Sequence, residues 1–331
     1  MRHCWASRTG GPLIIALGLL AGGVPGGAPP ALAPQGGLPV SRLELWRGTA
    51  GWVPLWRSDS ALRRYGGAPV LGPPVGPAPR AAGAAAISTE AGVQVERARL
   101  RGSGEAWRTD LYIVRIDPTR VRLTLDTAFK GASRAWTLAR APRDALLAVN
   151  AGQFVADLPW GWVMLDGREF LPPGAGPLVT TMQIDSAGRV SLLHGGRVPP
   201  RGRARWAFQS YPTLLRAGEV PRELTGVGGG VDVAHRDARL AIGTMADGAV
   251  LILMTRFSAL GERFGVLPFG LTTPEMAALM GLCGAQDAVL LDGGVSAQLL
   301  VRAGAGRETR LPGLRSVPLA LIGHLIGGRT P

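Results

Sequence analysis

Short apolar runs broken by turn residues fill the chain from residue 109 onward. Residues 111–116 (LYIVRI) and 121–125 (VRLTL) are rich in β-branched residues, with an aromatic in the first, and read as strands. Asp117-Pro118-Thr119 lies between them with turn chemistry, so the pattern predicts a hairpin. The next run, 145–149 (ALLAV), is apolar on both faces and predicts an internal strand. Further strands are expected at 161–165, 180–184, 189–193 and 205–209, with Asp166-Gly167 and Ser186-Ala187-Gly188 as turns. A strand, a polar corner and a second apolar run follow over 208–215, and Gly226 to Gly230 reads as a flexible loop. Residues 239–244 and 249–254, joined through Asp247-Gly248, predict a second hairpin. An apolar run at 288–291 leads into Asp292-Gly293-Gly294, and 318–326 is a terminal apolar strand.

One helix is well marked. Thr272-Thr273-Pro274-Glu275 has the form of a capping box with proline in the first turn, and Gly284 stops the helix. Met276, Leu279, Met280 and Cys283 make its apolar stripe. A short helix over 133–140, with Ser133 near its N-cap, is also expected. Trp160, Met276 and Cys283 read as core, and His194 and His235 as solvated loop histidines. The expected class is therefore α+β: a mixed, β-rich sheet core with a few helices. Before residue 106 the pattern is weak. Leu43, Leu45, Trp46, Trp52 and Trp56 mark a small packed unit, and a Gly/Pro-rich linker occupies 66–79. Residues 34–105 are expected to be an N-terminal extension and 106–331 the main domain.

The first residues read differently. Arg2, His3 and Arg8 precede an apolar stretch, LIIALGLLA at 13–21, that is too short to span a bilayer as a helix. Ala31-Leu32-Ala33 fits a cleavage pattern, so 1–33 is expected to be a signal peptide and the protein exported, periplasmic or extracellular. An uncleaved anchor is the competing expectation. With Cys4 in that segment, Cys283 stands alone and no disulfide framework is available. The net charge is +13, yet only one of the 36 basic residues, Lys130, is a lysine. The arginines are scattered, and no nucleic-acid motif accompanies them, so no nucleic-acid partner is expected. The charge is compatible with a cell-surface polyanion or anionic lipid, that is, with association at the envelope surface.

The candidate chemistry gathers at Leu291-Asp292-Gly293-Gly294-Val295-Ser296-Ala297-Gln298. A strand delivers a carboxylate onto two glycines, which let a ligand or another backbone come close, and a hydroxyl follows at Ser296. A carboxylate, backbone N–H groups and a hydroxyl together suit a polar or anionic ligand. An ordinary strand–turn–strand with Asp-Gly as the turn is the competing reading. No metal-ligand set is visible, so no cofactor is expected; a divalent ion held by Asp292 and backbone carbonyls stays open.

Three more motifs precede this one in order: Asn150-Ala151-Gly152-Gln153-Phe154, Gln209-Ser210-Tyr211-Pro212, and Arg239-Leu240-Ala241-Ile242-Gly243 with a following Asp247-Gly248. Together the four resemble the phosphodiester glycosidase family over about residues 109–325. The family pattern is roughly N-A/G-G-x-F, Q-S-G-P, R-T/S-A-I-G and L-D-G-G-G-S-S. Departures are Tyr211 for a glycine, Leu240 for a hydroxyl residue, Val295 for the third glycine and Ala297 for the second serine. The resemblance implies a hydrolase that cleaves a glycosyl-1-phosphodiester, or a related bond in a surface glycan, so the partner is a carbohydrate or glycosyl-phosphodiester substrate. It implies Asp292 as base, nucleophile or stabiliser of positive charge at the anomeric carbon. It implies Arg239 as the planar fork for the departing phosphate. Asn150, Gly152, Gln209, Ser210, Gly293, Gly294 and Ser296 are the implied substrate contacts, with N–H donors from Gly293-Gly294. Arg239 reads equally as an ion-pair partner of Asp237 or Asp232, and Asn150 as a turn cap. A non-catalytic carbohydrate-binding or exopolysaccharide-assembly protein on the same fold is the alternative, and a charge-driven surface binder a further one.

Overall fold

The computed structural model describes residues 41–46, 48–57, 85–90, 92–128, 135–225, 231–259, 264–265, 267, 269–303 and 307–327. The expected signal peptide, the stretch 66–79 and the loop 226–230 lie outside them. So does the start of the segment 133–140, whose described remainder holds one 3-10 turn, Leu138–Arg140.

Three sheets and one covering helix make the architecture. The large sheet has nine strands. Its path runs Thr213–Leu215, Ala285–Leu290, Leu240–Met245, Val250–Phe257, Thr109–Ile116, Val93–Gly102, Arg42–Trp46, Trp52–Arg57, with Ala85–Glu90 beside Val93–Gly102. One five-stranded sheet runs Arg168–Leu171, Val163–Leu165, Trp206–Ser210, Thr180–Ile184, Val190–His194. The other runs Arg307–Leu311, Leu299–Ala303, Leu147–Asn150, Leu319–Leu325, Val121–Thr127. The short hairpin of Phe154–Val155 with Leu158–Pro159 stands apart from all three. The α+β, β-rich class is as the pattern predicts, with every described ladder antiparallel where a mixed sheet was expected.

Strand Val250–Phe257 explains why the large sheet is central. All eight of its residues are buried, because side chains alternate between two cores. Val250, Ile252 and Met254 face a core shared with both five-stranded sheets, where Val149, Phe208, Met182 and Leu321 meet them. Leu251 and Leu253 face the second core, with Leu45, Leu100 and the helix residues Met276 and Leu279. Truncating a leucine here costs roughly 2–5 kcal/mol in lost burial and cavity.

The hairpin expected across Asp117-Pro118-Thr119 does not form. Thr109–Ile116 already has both edges occupied, by Val93–Gly102 and by Val250–Phe257. Val121–Thr127 goes instead to a different sheet, against Leu319–Leu325. The turn chemistry is present: Asp117 Oδ1 accepts from the Thr119 backbone N–H at 2.9 Å and from its hydroxyl at 2.6 Å. It builds a corner between sheets.

The segment expected as an extension is woven into the large sheet. Val93–Gly102 pairs with Thr109–Ile116 along its length, across the boundary expected near residue 105, and the compact unit spans Val40–Pro331. Val93 and Val95 point into the first core on one face and Ala98 and Leu100 into the second on the other, alternating with Gln94 and Arg99, so the strand's period of two holds on each side of a change of buried face.

The helix Thr273–Leu282 starts as its sequence predicts. Thr272 Oγ1 accepts from the Glu275 N–H, and Glu275 Oε2 accepts from the Thr272 N–H at 2.9 Å. Its burial is wider than the predicted stripe, with Ala277, Ala278 and Leu282 inside as well. Glu275 is wholly buried, and Arg236 clamps both its oxygens at 2.8 and 2.9 Å. Without that fork the carboxylate would be a buried unpaired charge. The pair also ties the helix start to the segment that carries Asp237.

Candidate active site

The run into Asp292 is no hairpin. Ala285–Leu290 belongs to the large sheet, and Leu291 N–H extends it by donating to Leu240 O at 2.8 Å. After one 3-10 turn, Gly294–Ser296, the chain resumes as Leu299–Ala303 in a five-stranded sheet. Asp292 sits at the seam between the two, its N–H donating to Gly152 O at 3.1 Å.

Both glycines admit a neighbouring backbone. A Cβ on Gly293 would lie 2.4 Å from Ala238 O. One on Gly294, whose φ is +54°, would lie 2.8 Å from an oxygen of Asp237. The N–H of Gly294 donates to Ala238 O at 2.7 Å, so the donor expected to face a ligand there holds the protein's own chain. What the glycines bring in is Asp237.

Two carboxylates therefore face one site. Burial pushes the Asp292 carboxyl above the usual carboxylate range. A hydrogen bond from Ser296 and the charge of Arg315 oppose that rise, while Asp237 adds to it. Asp237 is raised too, again by burial, against the charge of Arg239, the N–H of Ala238 at 2.8 Å and His235. Each is partly exposed, so both reach solvent. Two carboxyls held above their usual range at one seam are candidates for proton transfer.

Arginine stands on two sides. Arg239 is buried, and its guanidinium donates from Nε to Leu271 O at 2.8 Å and from Nη2 to His235 O at 2.5 Å. Burial draws its pKa down, and Asp237 is the strongest of the acids that oppose this. The ion-pair reading and the phosphate reading thus meet in one residue, whose fork is half committed to backbone. Arg315 is exposed, lies over the Phe154 ring at 4.7 Å, and has its N–H on Val295 O at 3.1 Å.

Comparison with known proteins now decides the family. The phosphodiester glycosidase family model matches residues 143–322, more than half of the chain's 331 residues. The chain belongs to the phosphodiester glycosidase family. A zebrafish structure, the N-acetylglucosamine-1-phosphodiester alpha-N-acetylglucosaminidase catalytic domain auto-inhibited by its pro-peptide, is similar in fold. It shares 16% identity over 71% of this chain and 83% of that one, with a TM-score of 0.51. A Burkholderia pseudomallei protein shares 17% identity over 68% of this chain and 76% of that one, at a TM-score of 0.49. A search of curated protein sequences finds no match.

The remaining residues expected in the site serve mostly as ties. Asn150 is buried, its amide donating to Asp292 O at 2.8 Å and accepting from Gln298 N–H at 2.9 Å. Gln209 Oε1 accepts from Trp162 and Gly174 N–H at 2.9 and 2.7 Å, and its Nε2 donates to Thr181 Oγ1 at 3.1 Å. Ser210 Oγ donates to Leu290 O at 2.6 Å. Gly152, at φ +69°, has no room for a Cβ beside Gln209 O, which would be 3.1 Å away. These side chains fix the frame around Asp292 rather than face a ligand; only Ser296 touches the carboxylate itself.

Sequence reasoning missed Asp237 as a second carboxylate, although it stands two residues before the arginine motif. It missed Arg315, for which no motif speaks. It placed Trp160 in the core, whereas the ring is partly exposed and meets Tyr211 edge to face, centroids 4.7 Å apart. His194, expected in solvent, is buried between Thr180 Oγ1 at 3.0 Å and Asp287 Oδ1 at 2.8 Å. His235 is exposed as expected. Among the described residues no group of three or more His, Cys, Asp or Glu is gathered to hold a metal ion. Nor is any helix among them long and apolar enough to cross a membrane.

Proposed function

We propose that the chain hydrolyses a glycosyl-1-phosphodiester, or a related glycosidic bond of a surface glycan, at Asp292 and Asp237. The observation that carries this is the pair of partly exposed carboxylates, both raised by burial, with the charge of Arg315 acting on Asp292 and that of Arg239 on Asp237. In the reaction the anomeric C–O bond breaks and a water oxygen bonds to the anomeric carbon. The water's proton goes to the ionised carboxyl of the pair. The phosphate leaves as a monoester anion, already a weak base, so it needs positive charge more than a proton. Arg315, exposed and on the Asp292 side, is the cation with free reach; Arg239 acts from behind as a buried charge. The carboxyls resemble those of ordinary glycosidases in kind, an acid and a base flanking one bond. Export, with residues 1–33 removed, goes with this reading and puts the enzyme where surface glycans are.

The test is hydrolysis of a panel of sugar-1-phosphodiesters, UDP-N-acetylglucosamine among them, by the full chain beside Asp292→Asn and Asp237→Asn. Release of free sugar by the parent, lost in Asp292→Asn, is the expected result. A folded parent that releases none from any panel member sinks the hydrolase reading and leaves the binding or assembly one.

A further inference from the structure

An aromatic pair that the proposed chemistry does not use lies on segments hydrogen-bonded to the Asp292 strand and to one another. Tyr211 is 38% exposed although its backbone is held on three counts. Ser210 Oγ donates to Leu290 O at 2.6 Å, Leu290 N–H to Pro212 O at 3.0 Å, and Gln153 Nε2 to Tyr211 O at 3.2 Å. Leu290 is two residues from Asp292, and Gln153 adjoins Gly152, whose carbonyl holds the Asp292 N–H. The backbone that carries the ring is thus tied to the strand that leads into Asp292. Trp160 stands against it at an interplanar angle of 63°, so the two rings form an L-shaped wall. Gly174 backs that wall: a Cβ there would lie 2.8 Å from the Trp160 ring.

An exposed aromatic pair on a rigid backbone is a preformed surface that loses little entropy when something packs on it. On the proposed function its ligand also carries the polar bond cleaved at Asp292, so that ligand must be apolar on a face and polar at the edge. A pyranose ring has that character, with C–H groups on its faces and hydroxyls around its rim.

We infer that Trp160 and Tyr211 form a saccharide subsite, stacking the sugar unit next to the bond at Asp292. The inference rests on the reading of Asp292 and Asp237 as the reacting carboxyls. It makes the substrate a glycan that continues past the cleaved bond, held by ring stacking.

The test reads binding and not turnover. Saturation-transfer NMR on the full chain uses N-acetylchitotriose and maltotriose as probes, with uridine as the comparison. At least one saccharide is expected to bind through its ring C–H protons. Tyr211→Ala weakens it about tenfold, or about 1.4 kcal/mol. Tyr211→Phe, which keeps the ring, binds like the parent, as does the distant Ile326→Ser. Circular dichroism confirms that each variant is folded. Unchanged affinity in Tyr211→Ala, a Tyr211→Phe as weak as the alanine, binding of uridine alone, or no saccharide binding would each overturn the inference. Because no hydrolysis is read, a parent that cleaves phosphodiesters yet fails this test loses the subsite only.

Discussion

The two polar clusters at this seam are made of similar residues and do opposite things. Around Asn150, Gln209 and Ser210, side-chain donors and acceptors are matched to backbone groups of a neighbouring loop or strand. Around Asp292 and Asp237, burial raises both carboxyls, Asp237 adds to the rise at Asp292, and each residue is partly exposed. The first cluster lowers the free energy of the fold; the second raises it and holds chemistry in reserve. Polar residues in a motif are therefore not all of one kind, and satisfaction of their bonds separates scaffold from site.

That contrast can be attacked from both ends. The largest effect is expected from Asp292→Asn, a loss of turnover of about a thousandfold or more. Its thermal midpoint should hold or rise at neutral pH. An acid whose folded pKa is raised contributes stability only below its unfolded pKa, and that contribution is lost as pH rises through the folded value. A falling midpoint in Asp292→Asn would place Asp292 with the scaffold. Next comes Gln209→Ala, which leaves the Trp162 and Gly174 N–H groups buried without an acceptor. Its expected cost is about 2–4 kcal/mol, read as a lowered denaturant midpoint. Unchanged stability with lost turnover would move Gln209 into the site.

A smaller effect sharpens the second cluster internally. Asp237 helps to raise the Asp292 carboxyl, so Asp237→Asn should let Asp292 titrate at lower pH. Carboxyl ¹³C NMR reads this, and a shift upward or none at all would remove the coupling. The smallest effect lies away from both clusters. The Asp287 carboxyl is held below its ordinary value of 3.8; burial works against that, and His194, the Ala217 N–H and Arg216 outweigh it. Its contribution is present above the unfolded pKa and is lost as pH falls through the folded one. Asp287→Asn should therefore flatten the acid limb of the stability curve below about pH 4. An acid limb as steep as the parent's would show that other carboxylates set it.

The sequence makes one part of this legible and hides another for a physical reason. Apolar runs such as 147–149 and 288–291 read easily because burial on both faces leaves no ambiguity. The capping box at Thr272 reads easily because it is local. The pairing of Thr109–Ile116 is not local: which edges are free depends on Val93–Gly102 and Val250–Phe257, far away in the chain. Asp237 is hidden for the same cause. It reaches Asp292 only because two glycines, more than fifty residues later, leave space for it. Tyr211 and Trp160 meet across a similar distance in sequence.

The hairpin of Phe154–Val155 and Leu158–Pro159 stands outside the three sheets, yet it leads directly into Trp160. Its tip residues Val155 and Leu158 are exposed and contribute nothing to either main core. Selection can therefore lengthen, shorten or recolour that finger without disturbing the frame that holds Asp292. On the proposed function, changes in a part of the chain that folding does not police would alter which glycan is accepted while leaving the carboxylates in place.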